Sequence, residues 1–226
     1  MPVNNTEPLS VYRAGPGYAK CLAGMILAAC RAHRKRGFLD YLLELPDGDI
    51  VRLLTLLAAH PAQQWGRIDE TYVALVDGVC SGTVTVSREK YTRDYPFTPE
   101  ALTEVASRLG LAPGLVAEIL ARQKAYVDQM PAFDEPVPPG TWLVEYLGVR
   151  PENRAAGVAR GLMARATREV RDAGGSALEL YCDIGNTRAE RLFASLGFFL
   201  VKEYRYRPEL ADLGDGARRL RLELGE

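Results

Sequence analysis

No stretch of the chain reaches the ~18 consecutive apolar residues that suggest a bilayer-crossing helix, and no charged segment runs into an apolar one near Met1. The expectation is a cytoplasmic protein with no membrane partner. Charge of one sign is also missing: 28 Lys and Arg face 29 Asp and Glu, so no global field steers the chain onto nucleic acid. The basic run Arg31–Arg36 reads as a solvated helix end, where cations suit the helix dipole. The run Arg218–Arg221 alternates into Leu222 and Leu224 and reads as a strand with one wet face. Histidine is scarce, and neither His33 nor His60 sits in a motif, so neither reads as catalytic. Cys21, Cys30, Cys80 and Cys182 lack CxxC spacing and scaffold density, which favours buried free thiols over disulfides or a zinc site.

What remains is an ordinary globular composition, 47% hydrophobic and 25% charged over 226 residues, enough for one domain with an insert. Ser10–Arg13 reads as a strand, broken by Gly15-Pro16-Gly17 before a helix over 18–32. Two further apolar clusters within 38–60 read as helices, parted by Pro46 and Gly48, with Asp49 as the cap of the second. Strands over 71–76 and 79–86 flank Asp77-Gly78, a dipeptide that tolerates the positive φ of a tight hairpin. Residues 98–130 turn helical twice around Gly110, and Pro131, Pro136, Pro138 and Pro139 then forbid regular structure, so 98–140 reads as a helical insertion with a Pro-rich tail. Beyond it strand and helix alternate (142–149, 158–173, 177–182, 186–196, 198–206), which predicts a layered α/β sheet.

The informative stretch runs from Leu147 to Leu162, where a strand ends, a loop of small residues follows and a helix begins at once. Ala155, Ala156, Gly157 and Ala159 let an anion approach the backbone, and the unpaired amides at the helix head point toward it. A plain strand-to-helix turn would use the same residues. The loop is neither GxxxxGK[ST] nor GxGxxG, so the phosphate-loop and dinucleotide fingerprints both fail.

Arg154-Ala155-Ala156-Gly157-Val158-Ala159 resembles the pyrophosphate loop [QR]-x-x-G-x-[GA] of the GNAT superfamily of acyl-CoA-dependent N-acyltransferases. A second family element is matched by Asn186, Ala189, Leu192-Phe193 and Leu196-Gly197-Phe198. The likeness covers 70–90 and 141–206 well and the first 60 residues loosely. It implies a mostly antiparallel mixed sheet, flanked by helices and splayed between its fourth and fifth strands, with acetyl-CoA as cofactor. It further implies that Arg154, Ala155, Ala156, Gly157, Val158 and Ala159 hold the pyrophosphate, while the backbone of Leu147, Gly148 and Val149 holds the pantetheine arm. Asn186, Ala189 and Phe193 would border that arm. The acceptor would be a small-molecule or peptide amine, and a homodimer fits the picture.

Acetyl transfer to an amine needs a base, oxyanion donors and a proton for the leaving thiolate. Glu145, in an apolar strand, is the candidate base, its rival reading being a carboxylate that faces solvent or pairs with a cation. The family commonly has tyrosine where this chain has Phe193, so Tyr181 and Tyr204 are carried as substitute acids beside a packing role. A non-catalytic acyl-CoA sensor or scaffold is the alternative, and 98–130 is read either as a wall or lid of the acceptor site or as a helical pair that buries apolar surface or forms a dimer contact.

Overall fold

A computed structural model describes residues 9–88, 95–130, 135, 137–154 and 156–225. The elements in chain order are β1 (Ser10–Arg13), α1 (Ala19–Arg31), α2 (Phe38–Leu43), α3 (Asp47–Leu57), β2 (Thr71–Val76), β3 (Val79–Arg88), α4 (Pro99–Arg108) and α5 (Pro113–Asp128). They continue as β4 (Thr141–Val149), α6 (Val158–Asp172), β5 (Ala177–Asp183), α7 (Thr187–Ser195), β6 (Phe199–Arg205) and β7 (Gly216–Glu223). The strands make one mixed sheet in the order β1-β2-β3-β4-β5-β7-β6, in which β4 and β5 run parallel and the other neighbours antiparallel.

Each face of the sheet carries its own apolar core. On one, α1 buries Leu22, Ala23, Ile26 and Leu27, spaced to lie on one side of a helix, against the sheet and α3, in a cluster that α4 and α5 extend. On the other, α6 buries Val158, Leu162, Met163, Ala166 and Val170 at the same spacing, with Phe193 of α7 beside them. The β2–β3 hairpin turns through Asp77 (φ 51°) and Gly78 (φ 72°), the positive-φ pair the sequence predicts. No helix among the described residues is long and apolar enough to cross a membrane.

Several expectations need correction. Cys21 of α1 and Cys80 of β3 form a disulfide, joining residues 59 apart in sequence, and only Cys30 and Cys182 remain as free thiols. Asp49 does not cap α3; Pro46 takes that position and Asp49 lies in the first turn. The basic run after α1 is not simply solvated: Arg31 grips Asp40 and Asp47, each at 2.6 Å, and Arg34 reaches Asp183 of β5 at 2.6 Å. The β7 face is not wet at Arg219, which is buried and paired at 2.8 Å with Glu179, a carboxylate itself 1% exposed. Arg221 takes the other oxygen of Glu179 at 2.9 Å, so each charge is buried with a partner, the condition under which burial is tolerated. Of the Pro-rich tail, Pro131 and Pro136 fall outside the described residues, and Pro138 and Pro139 lie in no helix or strand.

Burial pushes the Cys30 thiol up and the Cys182 thiol up to about 12, so both stay protonated at pH 8, where the thiolate is the reactive form. Iodoacetamide at pH 8 is therefore expected to label the native chain slowly. In denaturant without reductant, thiol titration should give two per chain, and four once the disulfide is reduced.

Candidate functional site

β4 and β5 pair from Thr141↔Ala177 to Leu143↔Glu179 and no further, although β4 stays on β3 as far as Val149↔Gly82 and β5 stays on β7 to its end. The register between β3 and β4 shifts between Thr83 and Thr85, and Tyr146 sits at φ 49°. One extra residue on β4 bends a strand in this way. Helix α1 lies directly over the bent portion. A Cβ on Gly148 would fall 2.8 Å from Met25 Cβ and 2.9 Å from the Met25 carbonyl oxygen, so glycine is what permits that approach.

The gap between the strands is part of a cavity of about 760 Å³ that crosses the sheet. On the α6 face it is lined by Arg154, Gly157, Val158 and Ala159, with Asn186, Ala189 and Phe193 opposite; on the α1 face by Ala28, Ala29, Cys30, His33, Phe38 and Tyr126. Glu145, Leu147, Gly148 and Val149 of β4 and Tyr181 of β5 form its walls. The structure thus gathers most of the sequence-predicted residues around one passage.

Gly157 takes φ 78° as the N-cap of α6, a conformation that costs other residues about 1–2 kcal/mol. The first helical bond is Gly161 N to Gly157 O at 2.9 Å, which leaves the amides of 157–160 ahead of the ladder. Among the described residues these four amides find no protein acceptor. Arg154 Nε donates to Val149 O at 3.2 Å, fastening the loop to the end of β4 while its guanidinium stays exposed. Two loop amides are used, Arg154 N donating to Pro151 O at 3.3 Å and Ala156 N to Asn153 O at 3.4 Å, and Ala155 lies outside the described residues. Across the gap, Asn186 Oδ1 accepts from Ala189 N at 3.3 Å and caps α7, so Asn186 faces the cavity while holding a helix end.

Glu145 lines the cavity where it crosses the sheet, and its charge, after burial itself, helps push the Cys30 thiol and the Tyr95 hydroxyl up. Tyr181 faces the same space. Tyr204 does not line it: its hydroxyl donates to Glu135 Oε2 at 2.7 Å, and burial followed by that bond pushes its pKa up. Phe193 stands edge-on to Phe198 at 5.6 Å. Sequence reasoning missed His33, Arg34 and Asp183, which border the cavity. Asp183 is held up by burial in spite of Arg34 beside it. The basic run held the only signal for the first two, and no local signal marked the third.

Residues 40–198 match the sequence profile of the Acetyltransferase (GNAT) family. The chain belongs to that family. It is 30% identical over 187 residues to a mycothiol acetyltransferase from Thermobispora bispora, a match that covers 81% of this chain but only 59% of that protein's length. In fold it is similar to a crystal structure of an acetyltransferase (TM-score 0.66, 20% identity, 96% of this chain and 100% of the other). A Salmonella typhimurium protein described as an acetyltransferase and solved with its cofactor acetyl-CoA also shares the fold (TM-score 0.52, 14% identity, 97% and 96% covered). Acetyl-CoA is the cofactor of the GNAT family. The cavity fits that molecule in kind: free helix-head amides suit a diphosphate, and an unpaired strand edge suits an amide-bearing arm.

Replacing Gly157 by valine strains the αL position and places methyl groups over those amides. Isothermal titration is expected to show Gly157→Val binding acetyl-CoA roughly tenfold or more weakly, a loss of ~1.4 kcal/mol or more. Equal affinity would mean that the amides do not hold the diphosphate.

Proposed function

We propose that the chain transfers acetyl from acetyl-CoA to a primary amine by direct attack, with Glu145 as the base. The supporting observation is the carboxylate of Glu145 set inside the cavity at the crossing of the sheet, beside the bulge at Tyr146. An amine with a pKa of about 10.4 is mostly protonated at neutral pH, and freeing its lone pair costs roughly 4 to 5 kcal/mol. Glu145, directly or through one water, takes that proton.

When bound, acetyl-CoA supplies the acetyl group as a thioester. The amides of Gly157 to Arg160 and the Arg154 loop hold the diphosphate. The backbone of Leu147, Gly148 and Val149, without a strand partner on the β5 side, binds the pantetheine arm as an added strand would. An amide of that edge, near Val149, stabilises the developing negative oxygen, a contribution on the order of 3 kcal/mol for donors of this kind. Asn186, Ala189 and Phe193 border the arm from the other lip. Tyr181, on the β5 wall of the cavity, returns a proton to the leaving thiolate; Phe193 has none to give and Tyr204 is held by Glu135.

The insertion supports the site as a wall. Helix α5 brings Tyr126 to the cavity, with Met130 just past its end, and Gln123 clamps Phe97 with both ends of its amide, at 3.1 Å and 2.8 Å. The chain spans about three fifths of the length of its curated mycothiol acetyltransferase relative, so that protein's acceptor stands here as one entrant in an amine screen. The rival, an acyl-CoA-binding protein without turnover, takes its support from Phe193, which carries no hydroxyl.

Coenzyme A release in the presence of an amine panel separates the two. Glu145→Gln is expected to lower kcat by 10²- to 10⁴-fold with the acetyl-CoA KM close to the parent's. An undiminished kcat would remove Glu145 as the base.

A further inference from the structure

On the α1 face the cavity ends among six aromatic side chains: Phe38, Trp65, Tyr95, Tyr126, Tyr146 and Tyr206. They come from α2, α5, the bulge of β4 and three connecting segments, and they pack on one another. Phe38 lies 4.2 Å from Tyr126 and 5.5 Å from Tyr95 between ring centroids, Trp65 meets Tyr95 edge-on at 4.7 Å, and Tyr126 meets Tyr206 at 6.2 Å. Hydroxyl joins hydroxyl, Tyr146 to Tyr95 at 3.3 Å and Tyr126 to Tyr206 at 3.4 Å. Burial raises the phenols of this group, so they stay neutral at pH 7.

Charge at this end is placed with the same economy. Glu145 on β4 and Asp183 on β5 supply two carboxylates; the guanidinium of Arg34 is engaged with Asp183 at 2.6 Å, and His33 is the remaining titratable base. A protonated amine entering here meets a carboxylate and the negative faces of aromatic rings, both attractive to a cation. A body rich in hydroxyls or carrying its own carboxylate would have to shed water against rings that offer few partners. A flat apolar body replaces that water with stacking and edge contacts.

From these features we infer that the acceptor is a primary amine carried on an aromatic or similarly flat apolar body, and that Tyr126 of the helical insertion is a determinant of that choice. The inference rests on the amine-transfer reading above. The test is coenzyme A release by the full chain with acetyl-CoA and matched amines: 2-phenylethylamine and tryptamine against putrescine, glucosamine and glutamate. The arylalkylamines are expected to show kcat/KM higher by roughly tenfold or more. Tyr126→Ala should raise KM for the arylalkylamines about tenfold while the acetyl-CoA KM stays at the parent value, and Tyr126→Phe should restore it. Putrescine, glucosamine or glutamate as the best acceptor would overturn the inference but leave amine transfer standing. No thiol release with any amine, in a chain that acetyl-CoA still stabilises against heat, would sink the amine reading itself. The panel on the parent chain decides the matter even where Tyr126→Ala fails to fold.

Discussion

Two parallel strands that hold together for three residues and then separate are the constraint on which the site depends. β4 and β5 pair over Thr141–Leu143, and beyond that point each turns its backbone groups toward a gap rather than toward its neighbour. Backbone amides and carbonyls need partners, so an unpaired edge inside a fold is stable when something else pairs with it. The bulge at Tyr146 turns β4 aside, and Gly148 lets α1 settle on the diverging strand at a distance no side chain would allow. The separation is therefore built into the fold by two local features.

Because the gap pierces the sheet, the two cores serve different ends of one cavity. The α6 core fixes a helix whose first amides are free and whose N-cap takes a left-handed turn, an arrangement that suits negative charge. The α1 core gathers aromatic rings and two carboxylates, which suit a cation on an apolar body. Helix α1 is tied down at several points, to β3 by the Cys21–Cys80 disulfide, to α2 by Arg31 on Asp40, and onward from its end to β5 by Arg34 on Asp183. Those ties hold α1 in place over the sheet.

What the sequence made legible was local. The Asp77-Gly78 hairpin, the alternation after residue 141 and the small-residue loop at Gly157 each announce themselves within about ten residues, because turn φ angles, side-chain periodicity and helix ends are set by near neighbours. Glu145 stood out as a carboxylate in an apolar run for the same reason. The features that were misread or missed are assembled from afar. Cys21 meets Cys80 across 59 residues, and Arg34 meets Asp183 across 149. Arg219 looked wet because its partner Glu179 lies on another strand. The aromatic end draws on six separate segments, and nothing in the strand of Tyr204 shows that Glu135 captures its hydroxyl.

The central claim is that the parted edge of β4 and the head of α6 together hold acetyl-CoA. Amide hydrogen exchange followed by mass spectrometry, with and without acetyl-CoA, examines both at once. Binding should slow exchange in peptides spanning 144–149 and 157–160 far more than in the β2–β3 hairpin. Protection elsewhere with those two segments unchanged would contradict the account.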